Sequence, residues 1–263
     1  MTEKSYDLLI RRTRLRGKGN TNFDIGITGG CVAAIETNLA GVAANEIDAE
    51  ENLTSESFVN PHLHMCKVWS LERMDEGPLR DYHGEGMGKA MNAIDRARQV
   101  KRELDFGTMV DAARRAVTLA ARHGNLFIRA FADVDSIAGV EGIKALVSVR
   151  DQFRNIVDIQ VVAFPQDGIL KDPGTVDLMR EAMELGADVV GGIPWIEFSD
   201  QEALEHIAIC FDLAQEFDKD VSMLLDDAGD PTLRTLEMMA LEAIKRNWQN
   251  RALAHHCRAM SLY

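Results

Sequence analysis

From residue 57 onward, short apolar runs alternate with longer segments of helical period, and this alternation constrains the fold more than any other feature. Strands that alternate with helices pair in parallel, and the helices pack outside the sheet. Each apolar run is nearly continuous, which predicts a sheet buried on both faces. The six predicted strands are SFVNPHLH (57–64), LFIRAFADV (126–134), VDIQVVAF (157–164), ADVVGGIP (187–194), DVSMLL (220–225) and RALAHH (251–256).

The helical segments between these strands complete about six strand-helix units. A full (β/α)8 barrel has eight, so the preferred prediction is an α/β fold with an incomplete TIM-like barrel, truncated after the sixth strand. A doubly wound open sheet is the alternative, and in both folds ligands bind beyond the carboxyl ends of the strands. Helices are predicted over 108–124, 142–155, 176–186, 201–218 and 233–247.

The first 57 residues have a different texture, with short β-like runs punctuated by Gly and Asn and no long helical period. These runs are YDLLIRR, FDIGITGG, CVAAIET and NEIDAEENL. Two domains are therefore predicted, a small β domain over 1–57 and the barrel over 58–263.

Charge and cysteine content exclude several classes of protein. A net charge of -13 over 263 residues argues against nucleic-acid binding, and the basic cluster RRTRLRGKG (11–19) is interpreted as a solvated strand and turn. No apolar stretch is long enough to span a bilayer and the N-terminus has no signal-peptide pattern, so no membrane partner and a cytoplasmic location are predicted. Widely spaced cysteines are predicted to be free thiols: Cys31, Cys66, Cys210 and Cys257.

The first barrel strand ends in a His-x-His pair, His62 and His64. Residues two apart in a strand point to the same face, so both imidazoles are directed toward one point. Imidazole is a common ligand of zinc and iron, and a bound metal makes its water nucleophilic near neutral pH. The pair predicts a metal site if further ligands join it, whereas a single buried histidine is more often only hydrogen-bonded.

Other polar residues follow later strands at the same edge of the sheet. Asp226 and Asp227 follow the fifth strand; they are read either as site carboxylates or as a polar turn leading to a helix with Asp230 at its N-cap and Pro231 at its first position. His255 and His256 end the sixth strand, and strand alternation predicts that at most one of them faces the barrel interior. Gln166 follows the third strand.

Trp195, after the fourth strand, and the loop 65–86, after the first, are candidates for a pocket lining, although a surface loop is the plainer interpretation. His83, His123 and His206 are interpreted as surface or helix residues without a role.

The segments FVNPHLHMCK, IRAFADVDS, DIQVVAFPQDGIL, LGADVVGGIPWIE, LAQEFDKDV and HHCRAM together resemble the cytosine deaminase-like branch of the amidohydrolase superfamily, which includes N-alkylammelide amidohydrolases. The resemblance covers the chain from about residue 5 to its end. It implies a (β/α)8 barrel fused to a β-sandwich to which residues 1–57 contribute. It also implies one divalent metal, zinc or iron, and hydrolysis of a C–N bond in a small nitrogen heterocycle such as a pyrimidine or an s-triazine.

Residue by residue, the resemblance implies that His62 and His64 bind the metal and that Gln166 contacts an amide of the substrate. It also implies that Asp227 shuttles a proton and that His256 lies near metal and substrate.

The chain departs from the family pattern at several positions. Leu224 replaces the fifth-strand histidine ligand, Asp227 replaces a glutamate shuttle, and Phe131 replaces a second-strand histidine. Cys66 stands where an acid is usual, and an eighth-strand aspartate is not within the sequence.

These departures leave alternatives to a working hydrolase. The chain could be a fragment of a longer enzyme or a non-catalytic binding relic. It could also have an altered site that recruits His256, Asp226 or Cys66, or form a homo-oligomer in which two chains complete each other's barrel.

Overall fold

The computed structural model describes residues 4–70 and 101–262. Contacts between Cα atoms divide the chain into two compact units, Met1–Ser57 and Phe58–Tyr263. His83 and residues 71–86 of the candidate pocket loop lie outside the described residues. The four cysteines are free, as the sequence predicted. No helix in the described part of the chain is long and apolar enough to cross a membrane.

The first unit is a five-stranded mixed sheet. Strand β1 pairs with β2 in antiparallel fashion and with β4 and β5 in parallel, and β3 extends the edge beyond β2. Tyr6, Leu9 and Leu39 form a small buried cluster beside it. The strands are β1 (Ser5–Leu15), β2 (Asn22–Thr28), β3 (Cys31–Glu36), β4 (Val42–Asp48) and β5 (Leu53–Thr54).

The basic cluster of the first unit is balanced by acidic partners. The Arg11 guanidinium contacts Asp24 at 3.2 Å and Glu46 at 3.4 Å, and Arg12 forms an ion pair with Asp48. The segment is thus a strand followed by a turn, as the sequence predicted, and two of its arginines are engaged within the sheet.

The second unit contains six parallel strands in the spatial order β11-β10-β9-β8-β7-β6. This order follows the chain without reversal, which is the arrangement of a barrel; a doubly wound sheet reverses its strand order at a switch point. The prediction of an incomplete barrel is confirmed over the described residues. The strands are β6 (Phe58–Leu63), β7 (Asn125–Asp133), β8 (Asp158–Phe164), β9 (Val189–Gly192), β10 (Asp220–Leu225) and β11 (Ala252–His256).

Among the described residues, five helices lie between these strands and bury regular stripes against the sheet. Helix α1 buries Met109, Ala113 and Val117, which are four residues apart and share one face. Its N-cap, Asp105, accepts a hydrogen bond from the backbone N–H of Thr108. The helices are α1 (Phe106–Arg122), α2 (Glu141–Phe153), α3 (Thr175–Glu184), α4 (Asp200–Phe217) and α5 (Thr235–Lys245).

Strand β8 shows why the apolar runs are continuous. Val161 and Ala163 pack in the large core between sheet and helices, whereas Val162 and Phe164 pack in a second cluster on the opposite face. Both faces of the sheet are therefore buried, and alternate residues of one strand serve two cores. The second cluster also contains residues from the carboxyl ends of β7 and β10: Phe131 and Leu224.

The prediction that a helix starts at Pro231 with Asp230 as its N-cap is wrong. Helix α5 begins at Thr235, and Asp230 bonds only Thr232 within the preceding turn. The buried Asp226 carboxylate accepts hydrogen bonds from the Thr235 N–H and hydroxyl, at 2.8 and 2.5 Å, and from the Leu236 N–H. Asp226 therefore holds the first turn of α5, because no other side chain satisfies these backbone donors.

Candidate active site

His62 and His64 lie together at the carboxyl end of β6. Their ring centroids are 5.0 Å apart with the planes nearly perpendicular. The His62 ring also contacts Phe131 at 4.4 Å, and the His64 ring contacts Phe164 at 5.3 Å. The two histidines thus pack on one side against the apolar cluster on this face of the sheet.

Both histidines of β11 approach the same point, which strand alternation did not predict. The ring centroids of His255 and His256 lie 4.8 and 4.9 Å from that of His62. His256 has a φ of 63°, so the backbone has left the extended conformation there and the two side chains no longer point to opposite faces. His255 additionally bonds the buried Ser222 hydroxyl through Nε2 at 2.7 Å.

Three histidines at this site are held in the neutral form. Burial lowers the pKa of His62 to about 2, and the neighbouring histidines and Lys67 also lower it. Burial and Lys67 lower the pKa of His64 to about 4, although Asp133 opposes them. Burial likewise lowers the pKa of His255 to about 4. Both ring nitrogens of His62 are buried without a hydrogen-bond partner, and the buried Nδ1 of His64 lies 3.9 Å from Asp133 Oδ1. Unsatisfied buried nitrogens destabilise the fold, so their retention points to a ligand.

Asp227 lies beside His256 at the ends of the two neighbouring strands β10 and β11. Its Oδ2 atom is 3.2 Å from His256 Nδ1. A carboxylate at Nδ1 favours the tautomer with the proton on that nitrogen, which leaves Nε2 as the basic atom of the ring.

Gln166 is buried and its side chain is engaged by a residue that the sequence analysis missed. Lys67 Nζ donates to Gln166 Oε1 at 2.6 Å and to both Asp133 oxygens at 3.0 and 2.9 Å. Asp133 ends β7, so it follows the same carboxyl-end pattern as the predicted residues and could have been found by it. Lys67 had no such signal, because the short turn Met65–Lys67 that carries it lies beyond the strand.

A second buried lysine supports this arrangement from behind. Lys101 Nζ lies 3.2 Å from Asp133, 2.6 Å from Asp135 and 3.3 Å from Asp167. Burial opposes the charged form, but the three carboxylates outweigh it and raise the pKa of Lys101, while the two lysines hold the pKa of Asp133 well below its ordinary value. Lys101 and Asp133 are therefore both charged at neutral pH.

Cys66 does not present a thiolate to the histidine pair. Its Sγ accepts from the Asp133 N–H at 3.3 Å and donates toward the carboxylate at 3.7 Å. Burial raises the pKa of this thiol to about 12, so it remains protonated and is a poor metal ligand.

Trp195 belongs to the apolar cluster that includes Phe131 and Leu224. It is 7% exposed, and its indole Nε1 has no hydrogen-bond partner. Indole N–H groups normally find an acceptor when buried, so this donor is left unsatisfied in an apolar wall.

A buried hydrogen bond between Glu197 and His206 fixes the segment that carries Trp195. Glu197 accepts hydrogen bonds from the backbone of Ile169 and Lys171 and contacts His206 Nδ1 at 2.7 Å. His206 Nε2 accepts from the Ile193 N–H, so the neutral ring carries its proton on Nδ1. His206 lies on a helix as predicted, but it is fully buried and joins the loops after β8 and β9.

The residues present fit a divalent metal in part. Neutral imidazoles with unpartnered nitrogens are the form in which histidine binds metal, and His62 and His64 supply them. Leu224 supplies no donor, and within residues 4–70 and 101–262 no group of three His, Cys, Asp or Glu side chains is already arranged to hold a metal ion.

The comparison with family models assigns the chain that carries this barrel and histidine pair to a known family. The model described as "Amidohydrolase family" matches residues 45–263, and the chain belongs to that family. It is 31% identical over 261 residues to N-isopropylammelide isopropyl amidohydrolase of Pseudomonas sp. (strain ADP), covering 96% of this chain and 61% of that one.

Solved structures show the same relationship. A 5-methylcytosine deaminase from Klebsiella pneumoniae liganded with phosphonocytosine superposes with a TM-score of 0.85 at 30% identity, over 97% of this chain and 60% of that chain. An atrazine chlorohydrolase from Arthrobacter aurescens TC1, complexed with zinc, shares the fold at a TM-score of 0.63 and 14% identity, over 95% of this chain and 60% of that chain. The chain thus spans about three fifths of the length of these relatives.

Proposed function

We propose that this chain carries the site of a metal-dependent amidohydrolase that hydrolyses a C–N bond of a small nitrogen heterocycle, a pyrimidine or an s-triazine. The observation that carries the proposal is the neutral, buried and unpartnered His62 at the carboxyl end of β6, with His64 and the Asp227–His256 pair around it. The relatives, which are named for cytosine and ammelide substrates, support the substrate class.

His62 and His64 are proposed to hold one divalent ion, zinc or iron. When bound, such an ion lowers the pKa of a coordinated water to about 7 and polarises the carbon under attack. The His62 and His64 rings are half-buried against Phe131 and Phe164, and the partial exclusion of water there strengthens charge interactions at the reacting centre.

Asp227 and His256 are proposed to handle the proton. Asp227 accepts a proton from the attacking water and returns it to the leaving amine, so that water adds across the C–N bond and the amine departs neutral. His256, whose Nδ1 faces Asp227, directs Nε2 toward the charge that develops on the substrate.

Gln166 and Trp195 are proposed to orient the substrate ring. Gln166 presents an amide whose oxygen is bonded by Lys67, and Trp195 presents an unpartnered indole N–H within the apolar wall. A flat heterocycle fits such a site because its faces are apolar and its edge carries hydrogen-bonding groups.

Two measurements on the full chain test the proposal. Protein purified without chelators is analysed for zinc and iron, and amine release is followed with cytosine, 5-methylcytosine and N-isopropylammelide. We expect near-stoichiometric metal and turnover in the natural chain, both lost in His62→Ala and both kept in the matched surface variant His123→Ala. Turnover that persists in metal-free protein, or the lack of both metal and turnover, contradicts the proposal.

A further inference from the structure

We propose that Lys67 is a positioning residue that turns the Gln166 amide so that the site accepts only heterocycles with a hydrogen-bond acceptor on the facing edge. This inference rests on the proposed function, because it specifies how the substrate site of that hydrolase selects its ring.

The contact that carries the inference is short and largely shielded from solvent. Lys67 Nζ lies 2.6 Å from Gln166 Oε1, and Gln166 is 7% exposed. The same ammonium group bonds both oxygens of Asp133, which is 2% exposed. Lys67 is therefore shared between a carboxylate and a neutral amide.

The chemistry of lysine decides which way the amide faces. An ammonium group has three donors and no acceptor, so only the carbonyl oxygen of Gln166 can meet it. The reversed amide would place N–H against N–H, with both groups buried. Lys67 thus holds Oε1, and the remaining hydrogen-bonding end of Gln166 is the Nε2 amino group with its two donors.

A Gln166 side chain fixed in this way discriminates between ring edges. A carbonyl oxygen or an unprotonated ring nitrogen accepts a hydrogen bond from Nε2, whereas an exocyclic amino group brings donor against donor. A site built to pair one polar edge rejects the analogue that lacks it strongly, because a buried group is then left unsatisfied. In the absence of Lys67, the amide could rotate and serve either edge.

Lys67 is itself held in place by the buried charges behind it. Asp133 bonds Lys67 on one side and Lys101 on the other, and Lys101 also contacts Asp135 and Asp167. The two bonds to the buried Asp133 carboxylate keep the ammonium group beside Gln166. This arrangement makes the amide orientation a fixed property of the free protein rather than a response to the ligand.

The test compares two rings of nearly equal shape. Cytosine has a carbonyl oxygen at C2, and 2,4-diaminopyrimidine has an amino group there. Their dissociation constants are measured by calorimetry for the natural chain, Lys67→Met, Lys67→Arg and the surface control Lys144→Met. We expect at least a tenfold preference for cytosine in the natural chain, in Lys67→Arg and in Lys144→Met, and a preference below threefold in Lys67→Met.

A second readout uses the free protein. The side-chain ¹⁵N–H₂ resonance of Gln166 is assigned by its loss in Gln166→Glu. We expect this resonance to report restricted motion of the amide in the natural chain, and averaging between amide orientations in Lys67→Met. An unchanged preference and an unchanged resonance in Lys67→Met would overturn the inference, as would equal binding of both rings by the natural chain. If neither ring binds, the inference about Lys67 also fails. The metal content then tests the proposed hydrolase function independently: stoichiometric metal supports that function, and missing metal contradicts it.

Discussion

Asp227 Oδ2 lies 3.2 Å from His256 Nδ1, and the backbone at the ends of β10 and β11 is bent to bring the two together. Asp226, His256 and Cys257 all have positive φ values, of 48°, 63° and 49°. Each such residue costs roughly 1–2 kcal/mol relative to the ordinary helical or extended conformation. Strain of this kind clusters at functional sites, and here it lies where the two strands deliver a carboxylate and an imidazole to one point.

Replacement of Asp227 by glutamate, a longer carboxylate, is expected to preserve more activity than replacement by asparagine, a neutral isostere. Asp227→Asn removes the proton acceptor, and kcat should fall by roughly 10²–10⁴ because general base catalysis contributes about that much. Asp227→Glu keeps the charge and should retain at least about a tenth of the activity of the natural chain on the same scale. Steady-state kinetics measure the activity of both variants, and their metal content is the control. Equal activity of the Asn and Glu variants would show that Asp227 is not the proton shuttle.

Leu224→His is expected to strengthen metal binding. Leu224 is buried at the end of β10 in the same apolar cluster as Phe131, whose ring contacts His62. An imidazole at this position would add a donor to those of His62 and His64. Affinity, measured by competition with a chromophoric chelator, should rise at least about tenfold, while the lost apolar packing costs about 2–4 kcal/mol of unfolding free energy. Leu224→Asn, which loses the same packing without adding an imidazole, should show only the destabilisation, and a gain in affinity there would contradict the explanation.

Trp195→Phe is expected to lower ligand affinity without lowering the unfolding free energy. The unpartnered indole N–H destabilises the folded state, so its removal should leave the unfolding free energy unchanged or raise it by about 1 kcal/mol. Ligand affinity should fall by about tenfold, because the ring loses one hydrogen bond. Chemical denaturation and calorimetry measure the two quantities on the same sample. A destabilised variant with unchanged affinity would show that Trp195 is only a packing residue.

The Glu197–His206 pair is expected to make the fold sensitive to acid. Burial lowers the pKa of His206, and burial of Glu197 is outweighed by His206 and the backbone donors, so its pKa is lowered too. Below pH about 6.5 the unfolded chain binds a proton at His206 that the folded chain does not, so stability falls as the pH falls, by up to about 1.4 kcal/mol per pH unit. Below about pH 4.5 Glu197 adds to the loss in the same direction.

The variant His206→Gln tests this linkage. Glutamine can still donate to Glu197 and accept from the Ile193 N–H, but it does not titrate. Urea unfolding between pH 7 and 5 should show a shallower dependence of the unfolding free energy on pH than in the natural chain. The exposed control His123→Gln should keep the full slope; an identical slope in His206→Gln would mean that His206 is not kept neutral by the fold.

The strands and helices of the barrel were largely predictable from the sequence, because continuous apolar runs and helical stripes are local patterns. Strand β8 was predicted over 157–164 and is found over Asp158–Phe164; helix α4 was predicted over 201–218 and is found over Asp200–Phe217. Helix α5 was predicted to start at residue 233, close to its observed start at Thr235, but the side chain that satisfies its first turn was not predictable. That side chain, Asp226, comes from the preceding strand end rather than from the adjacent Asp230.

The alternating pattern alone was enough to locate four candidate residues at the carboxyl ends of parallel strands, because strand order and strand direction follow from it: His62, Gln166, Asp227 and His256. Which of these side chains meet, and which partners they have, became evident from the folded chain. Lys67 reaches Gln166 across 99 positions of sequence, and both histidines of β11 reach His62 through a local turn of the backbone. Such pairings depend on distances between elements and on burial, which no local pattern of residues encodes.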